Sequence, residues 1–215
     1  MPPSGPSAGG LPPIELVLSS RRVLGAGPRG IEHWTVTAVP AGVLDGAADG
    51  VNEVGRLELL AIDLVRCPDP WGALDASNED VAHIGDTVFD MNTGQLAERF
   101  DQRLSRRGSR VLVLDYVELA PQWQARNVAA LLVAETLDQL CGGCRVVLGL
   151  PGPLERRPDL GDEEYAEAVR RMQAVWSQVG FVLFEENVWF LDPHAGTLEE
   201  SLRALRHQHD LPAQV

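Results

Sequence analysis

Two apolar runs separated by one amphipathic stretch constrain this chain more than anything else in it. Residues 110–120 (RVLVLDYVELA) read as a strand. Residues 144–150 (CRVVLGL) read as a second strand, apolar along nearly its whole length, so both of its faces must be covered. Between them, residues 122–140 carry Val128, Leu131, Leu132 and Leu137 on one side of a helix. A strand, a helix and a strand of these lengths close as a right-handed crossover, which makes the two strands parallel neighbours. The expected fold class is therefore α/β.

The junction after the first strand carries the chemistry. The strand ends at Pro121, and a tight turn leads into the helix. A helix start presents backbone N–H groups that no carbonyl of the helix can accept, and such groups suit an anion. That points to a phosphate-bearing ligand. The net charge is −13, which argues against binding nucleic acid or an anionic membrane. An acidic field would steer a cationic amine, and it also serves solubility alone. The chain has no lysine, which excludes Schiff-base chemistry and a phosphate-loop lysine. Its three cysteines, Cys67, Cys141 and Cys144, form no disulfide framework. The Cys141-Gly-Gly-Cys144 spacing has no second pair to complete a tetrahedral metal site, so the thiols read as structural and no metal is expected.

The remaining elements follow from periodicity and punctuation. Residues 1–13, rich in Pro, Gly and Ser, read as a disordered tail, and 14–215 as a single domain. Strands are expected over 14–19, 31–39 and 56–66, and a loop over 67–76. Ser77 or Asn78 would cap a helix over 79–89. Thr93 would cap another reaching about residue 106, since Leu96, Phe100 and Leu104 recur at helical spacing, and Gly108 would end it. After a loop over 151–161, Asp162 would cap a helix over 163–179 that stops at Gly180. Residues 181–185 and 188–191 read as a hairpin turning at Glu186-Asn187. Thr197 and Glu200 form a capping box opening a last helix to about His207. No leader sequence and no membrane-length apolar run is visible, so the expected location is cytoplasmic.

Taken in order, these parts resemble the GNAT acyltransferase superfamily. The strand ends VELAP (residues 117–121). Gln124-Ala125-Arg126-Asn127-Val128-Ala129 stands at the family's Q/R-x-x-G-x-G/A motif. A buried strand follows the helix, and Trp176-Ser-Gln-Val-Gly180-Phe181 is similar to the family's Y-x-x-x-G-F. The resemblance covers residues 110–192. It implies a mixed, mostly antiparallel sheet with a central parallel pair, flanked by helices. It also implies acetyl-CoA or another acyl-CoA as cosubstrate and a small-molecule amine as acceptor, and it is compatible with a homodimer. Backbone amides of Gln124, Ala125, Arg126, Asn127, Val128 and Ala129 would hold the pyrophosphate. Val117, Glu118 and Leu119 would offer backbone groups to the pantetheine arm and the thioester.

Asp115 and Glu118 are the candidate catalytic bases, Glu118 preferred because it lies nearest the expected thioester. In a regular strand they would face opposite sides, a parity that a bulge, usual in this strand of the family, would change. Three departures from the family pattern stand out. Asn127 replaces the first motif glycine, Trp176 replaces a tyrosine that can protonate a leaving thiolate, and two helices directly precede residue 110. Two alternatives therefore stand beside acyl transfer. One is a non-catalytic module that binds a ligand or partner, and the other is a biosynthetic enzyme using the fold for different chemistry.

Overall fold

The structure is a computed structural model, and it describes residues 11–21, 29–42, 53–105, 107–124, 128–152 and 161–212. Three antiparallel strands come first: β1 (Ile14–Arg21), β2 (Ile31–Pro40) and β3 (Gly55–Asp63). Two helices follow, α1 (Pro70–Asp75) and α2 (Glu79–Val88). A ribbon of β4 (Phe89–Asp90) and β5 (Gln95–Leu96) leads to the short helix α3 (Glu98–Asp101). The expected crossover is next: β6 (Arg110–Leu119), α4 (Pro121–Gln124), α5 (Ala129–Leu140) and β7 (Cys144–Gly149). The remaining elements are α6 (Asp162–Val179), β8 (Val182–Leu183), β9 (Trp189–Leu191) and α7 (Thr197–Gln208).

Seven strands form one sheet in the order β1-β2-β3-β6-β7-β9-β8, beside the two-stranded β4–β5 ribbon. β6 and β7 are parallel, and every other neighbouring pair is antiparallel. The class is thus α/β, with a mixed, mostly antiparallel sheet flanked by helices. Side-chain alternation divides most of the apolar residues between two cores, with a smaller third cluster around Ala38, Val54, Trp123, Val128 and Leu132. Leu57, Leu59, Leu112, Leu114 and Val147 face α5, α6 and α7. Leu60, Ile62, Val111, Val113 and Val146 face α1, α2 and α3. Covering both faces of β6 and β7 is what their unbroken apolar runs require.

α7 is fastened to α5 by a paired contact. Arg206 donates from Nε and Nη2 to the two carboxylate oxygens of Glu135, both at 2.7 Å. Only 12% of the arginine side chain and 18% of the glutamate remain exposed, so losing either partner strands a desolvated charge. Among the described residues, no helix is long and apolar enough to cross a membrane.

Several expectations need correction. Residues 70–75 are helical, where a loop was expected. Asp69 accepts the Gly72 N–H at 2.9 Å and Pro70 takes the first helical position. The helix expected from Thr93 to 106 is much shorter, because residues 89–96 close the β4–β5 ribbon first and α3 spans only Glu98–Asp101. Leu96, Phe100 and Leu104 still meet one core, which explains the misleading periodicity. The expected helix over 122–140 is two helices, and residues 125–127 between them lie outside the described residues. β3 stops at Asp63, whose carbonyl accepts the N–H groups of Arg66 and Cys67 in a turn. Gly161 and Gly196 are the N-caps, with Asp162 and Thr197 each one position inside its helix. At Gly196 the backbone turns at φ 80, left-handed geometry that glycine adopts without a Cβ clash. The hairpin turn lies at Glu186 (φ 49) and Asn187 (φ 62), as the sequence suggests. Of the tail expected over 1–13, residues 1–10 lie outside the described residues, while the Pro13 carbonyl accepts the Ala41 N–H at 2.8 Å.

Candidate functional site

β6 changes character at Asp115. From Arg110 to Leu114 the strand is laddered to β3 on one side and to β7 on the other. The ladder to β7 ends at the Leu114–Gly149 pair, and β6 runs five residues further with β3 alone. At that same point the register against β3 slips. Leu114 faces Leu59 and Tyr116 faces Glu58, which leaves Asp115 unpaired as a bulge. The odd spacing of Asp115 and Glu118 therefore no longer separates them. Tyr116 and Glu118 face Glu58 and Arg56 on β3, and Asp115 meets Asn78 at the start of α2 on that same side.

The result is a polar cluster beside the second core. Asn78 caps α2 by accepting the Val81 N–H with its oxygen, and it donates from Nδ2 to Asp115 at 2.9 Å. One side chain thus fixes both the helix start and the bulge. The Tyr116 hydroxyl donates to a Glu118 carboxylate oxygen at 2.6 Å. That bond, reinforced by partial burial and by the charges of Glu118 and Glu58, pushes the Tyr116 hydroxyl up to about 12, so it stays a donor at neutral pH. Arg56 pairs with Glu58 at 2.7 Å. The Asp115 carboxyl sits above its ordinary value, first because protein atoms thin the water around it, against the Asn78 hydrogen bond that lowers it. Glu58 and Asp80 push it further up, and His33 pulls it down.

Among the described residues, no strand pairs with the outer edge of β6 beyond Leu114. The Ala120 N–H reaches the Val54 carbonyl at 3.0 Å, which sets the phase of the ladder. In an antiparallel pair alternate residues direct both backbone groups to the same neighbour, so Tyr116 and Glu118 serve β3. Val117 and Leu119 turn theirs toward the side that β7 has left. The Gln124 side chain donates from Nε2 to the Leu119 carbonyl at 3.1 Å, in keeping with that direction. Val128, wholly buried, precedes the first turn of α5, and among the described residues no side chain caps the helix that Ala129 opens. Ala125, Arg126 and Asn127, expected to complete a phosphate cradle, lie outside the described residues, as do Arg156 and Arg157.

Trp176 stands over Gly149, the last residue of β7. A Cβ at Gly149 would lie 2.0 Å from the Trp176 Cη2, so only glycine admits the ring there. The ring also packs on Phe181, centroid to centroid 4.7 Å. Cys141 and Cys144 are free thiols, and burial pushes both up, Cys144 to about 12. That suits the structural reading of the pair. Among the described residues, no group of three or more His, Cys, Asp or Glu side chains could hold a metal ion. His83 meets the Glu186 carbonyl at 2.9 Å and His194 the Cys144 carbonyl at 3.1 Å, so these two tie elements together.

Sequence reasoning missed Tyr116, Glu58 and the second role of Asn78. The signal for Asn78 was present, since it was already expected as a cap. Tyr116 and Glu118 stand two apart on a regular stretch of β6, so strand alternation alone puts them on one face. Compared with protein-family models, with curated proteins and with solved structures, the chain gives no match in any of the three.

Proposed function

We propose that this chain is a divergent GNAT-like, acyl-CoA-dependent N-acyltransferase that acylates a small cationic amine, with acetyl as the simplest acyl group. The observation that carries this reading is the one-sided half of β6. Among the described residues no strand pairs with its outer edge, toward which Val117 turns its backbone groups and Leu119 its N–H; it ends at a helix start and carries the Glu118 side chain on the face that Tyr116 shares. An open strand edge accepts an extended, amide-bearing arm as an added strand. The uncapped start of α5 suits the phosphates at the far end of such an arm.

A bound acyl-CoA supplies the acyl group as a thioester. Glu118 takes the proton from the attacking ammonium, and the Tyr116 hydroxyl holds that carboxylate in one orientation. Asp115 and Glu58 lend negative charge to the approach of a cationic amine. Trp176 has no acidic proton to give, so the leaving thiolate takes its proton from water. The position of α1 and α2, between β3 and β6, puts the Asn78 end of α2 against Asp115 and makes it part of the acceptor's surroundings.

Calorimetry with acetyl-CoA tests occupancy, and thiol release against an amine panel tests transfer. Binding with amine-dependent thiol release is the expected result. The indole at Trp176 favours a second reading, a module that binds without transfer, and binding with no thiol release on any amine would select it. A folded chain that binds no acyl-CoA would point to other chemistry on the same fold.

A further inference from the structure

The two ends of the seven-stranded sheet differ. At one end β8 is two residues long, and so short an edge strand offers little to pair with. At the other end β1 runs for eight residues, and its register against β2 continues without a bulge from Ile14 to Arg21. Among the described residues, no strand pairs with its outer side. The phase of that side is fixed. The Ala41 N–H reaches the Pro13 carbonyl at 2.8 Å, so the odd-numbered residues of β1 point their backbone groups at β2. Pro40, which has no N–H, stands opposite Ile14 in agreement with this. The even-numbered residues Ile14, Leu16, Leu18 and Ser20 therefore turn N–H and C=O outward. Leu16 and Leu18 direct their side chains to the core that α5 covers. Glu15, Val17, Ser19 and Arg21 stand on the opposite face, where Val17 is 37% exposed.

We propose that β1 is a self-association edge, to which a second copy of this chain adds its own β1, antiparallel and across a two-fold axis. The backbone sets the first condition. Outward-facing residues must meet outward-facing residues, so each pair across the seam is even with even or odd with odd. The charges then choose the register. Glu15 and Arg21 carry opposite signs near opposite ends of β1. Setting Glu15 against Arg21 of the second copy satisfies the backbone condition and creates the same ion pair at both ends of the seam. It also sets Leu16 against Ser20, Val17 against Ser19, and Leu18 against its own copy on the axis. Glu15 accepts the Gly42 N–H at 3.4 Å, a contact that a charge-assisted bond from arginine outweighs. A parallel copy would gather like charges at each end instead. Residues 14–21 contain none of the lysines, prolines or bulges by which edge strands resist pairing. A strand complementary to itself fits an isologous contact, in which both copies present the same patch. The seam lies three strands from β6 and does not rest on the acyl-CoA reading.

Analytical ultracentrifugation of the full chain tests this. The net charge of −13 opposes association, so the salt should be about 0.15 M, where charges are screened beyond about 8 Å. A dimer should be populated at about 100 µM protein. Glu15→Arg and Arg21→Glu each set like charges face to face at both ends, and each should weaken the dimer at least about tenfold. Mixing these two variants should restore association to within about threefold of wild type, because unlike charges then face each other again. A monomeric wild type, a dimer indifferent to either reversal, or variants that stay apart when mixed overturns the proposal. If a variant does not fold, amide exchange on the wild-type protein decides. Exchange at Leu16, Leu18 and Ser20 should slow as concentration rises, while Val17 and Ser19, already bonded to β2, should not change. Exchange independent of concentration at Leu16, Leu18 and Ser20 overturns the seam.

Discussion

The two halves of β6 share one strand and obey opposite rules. Residues before Asp115 are laddered on both sides, and Val111, Leu112, Val113 and Leu114 are all buried. Residues after it are laddered on one side, and they alternate between partly buried Val117 and Leu119 and the polar Tyr116 and Glu118. The first half supplies position, and the second half, among the described residues, keeps an edge without a strand partner. A bulge is what allows both in one strand, because it turns the side chains over without ending the ladder to β3. A rigid half that holds a reactive half in place is the arrangement a site needs if its geometry is to survive binding.

That contrast can be broken by substitution, beginning with the largest effect. Leu112→Ala should lower stability by about 2–5 kcal/mol, since it empties a fully buried position of the two-sided half. A loss below about 1 kcal/mol in urea unfolding would put the anchor elsewhere. Gly149→Ala should cost about 1–3 kcal/mol, because its Cβ would meet Trp176 at 2.0 Å and the ring must move. Thermal melting checks this, and an unchanged midpoint would mean the ring is not confined. Glu118→Gln should leave the melting temperature within about 1 °C and lower thiol release at least about tenfold, with CoA affinity little changed. Unchanged turnover removes Glu118 as the base.

The smallest effect is the sharpest in sign. Burial holds the Asp115 carboxyl above its ordinary 3.8 in the folded chain. Between the unfolded and folded values the native state keeps the proton more tightly, so stability falls as pH rises through that window. Above it the charged form remains a fixed penalty. Asp115→Asn removes the penalty and keeps an oxygen for Asn78 to donate to. The variant should therefore melt on the order of 1 °C higher at pH 7, discounted for solvent exposure, with the gain vanishing below about pH 4. A lower melting point at pH 7 would mean that the carboxylate's hydrogen bond to Asn78 outweighs its desolvation.

The buried half of the molecule was readable because burial leaves periodicity behind. The runs at 110–114 and 144–149 gave a parallel pair, and the helices at 129–140 and 162–179 were visible from spacing and from Gly180. What failed was local. Asp69 and Pro70 spell a helix start, but α1 is only six residues long and reads as loop between prolines. Leu96, Phe100 and Leu104 mimic a helix because a short strand, a one-turn helix and the turn after it aim them at one core. The bulge left no trace in the residues themselves, since neither Asp115 nor Tyr116 favours one, and only the family resemblance raised it. The bulge decides only that Asp115 joins the face of Tyr116 and Glu118, since those two share a face by their spacing of two. Asn78 was half legible. Its cap was expected, while its grip on Asp115 spans 37 positions of sequence and no local rule reaches that far.

The clasp between Arg206 and Glu135 sets an order of events on the ribosome. Its two ends are separated by 71 positions, and Leu198, Leu202 and Leu205 complete the same core. While synthesis is still short of α7, the emerging β6–α5–β7 unit carries an uncovered greasy flank and a carboxylate awaiting its guanidinium. Such an intermediate is prone to stick to other nascent chains. A stalled or clipped product lacking that helix should therefore be handled in the cell as a client of folding helpers rather than as a smaller working protein.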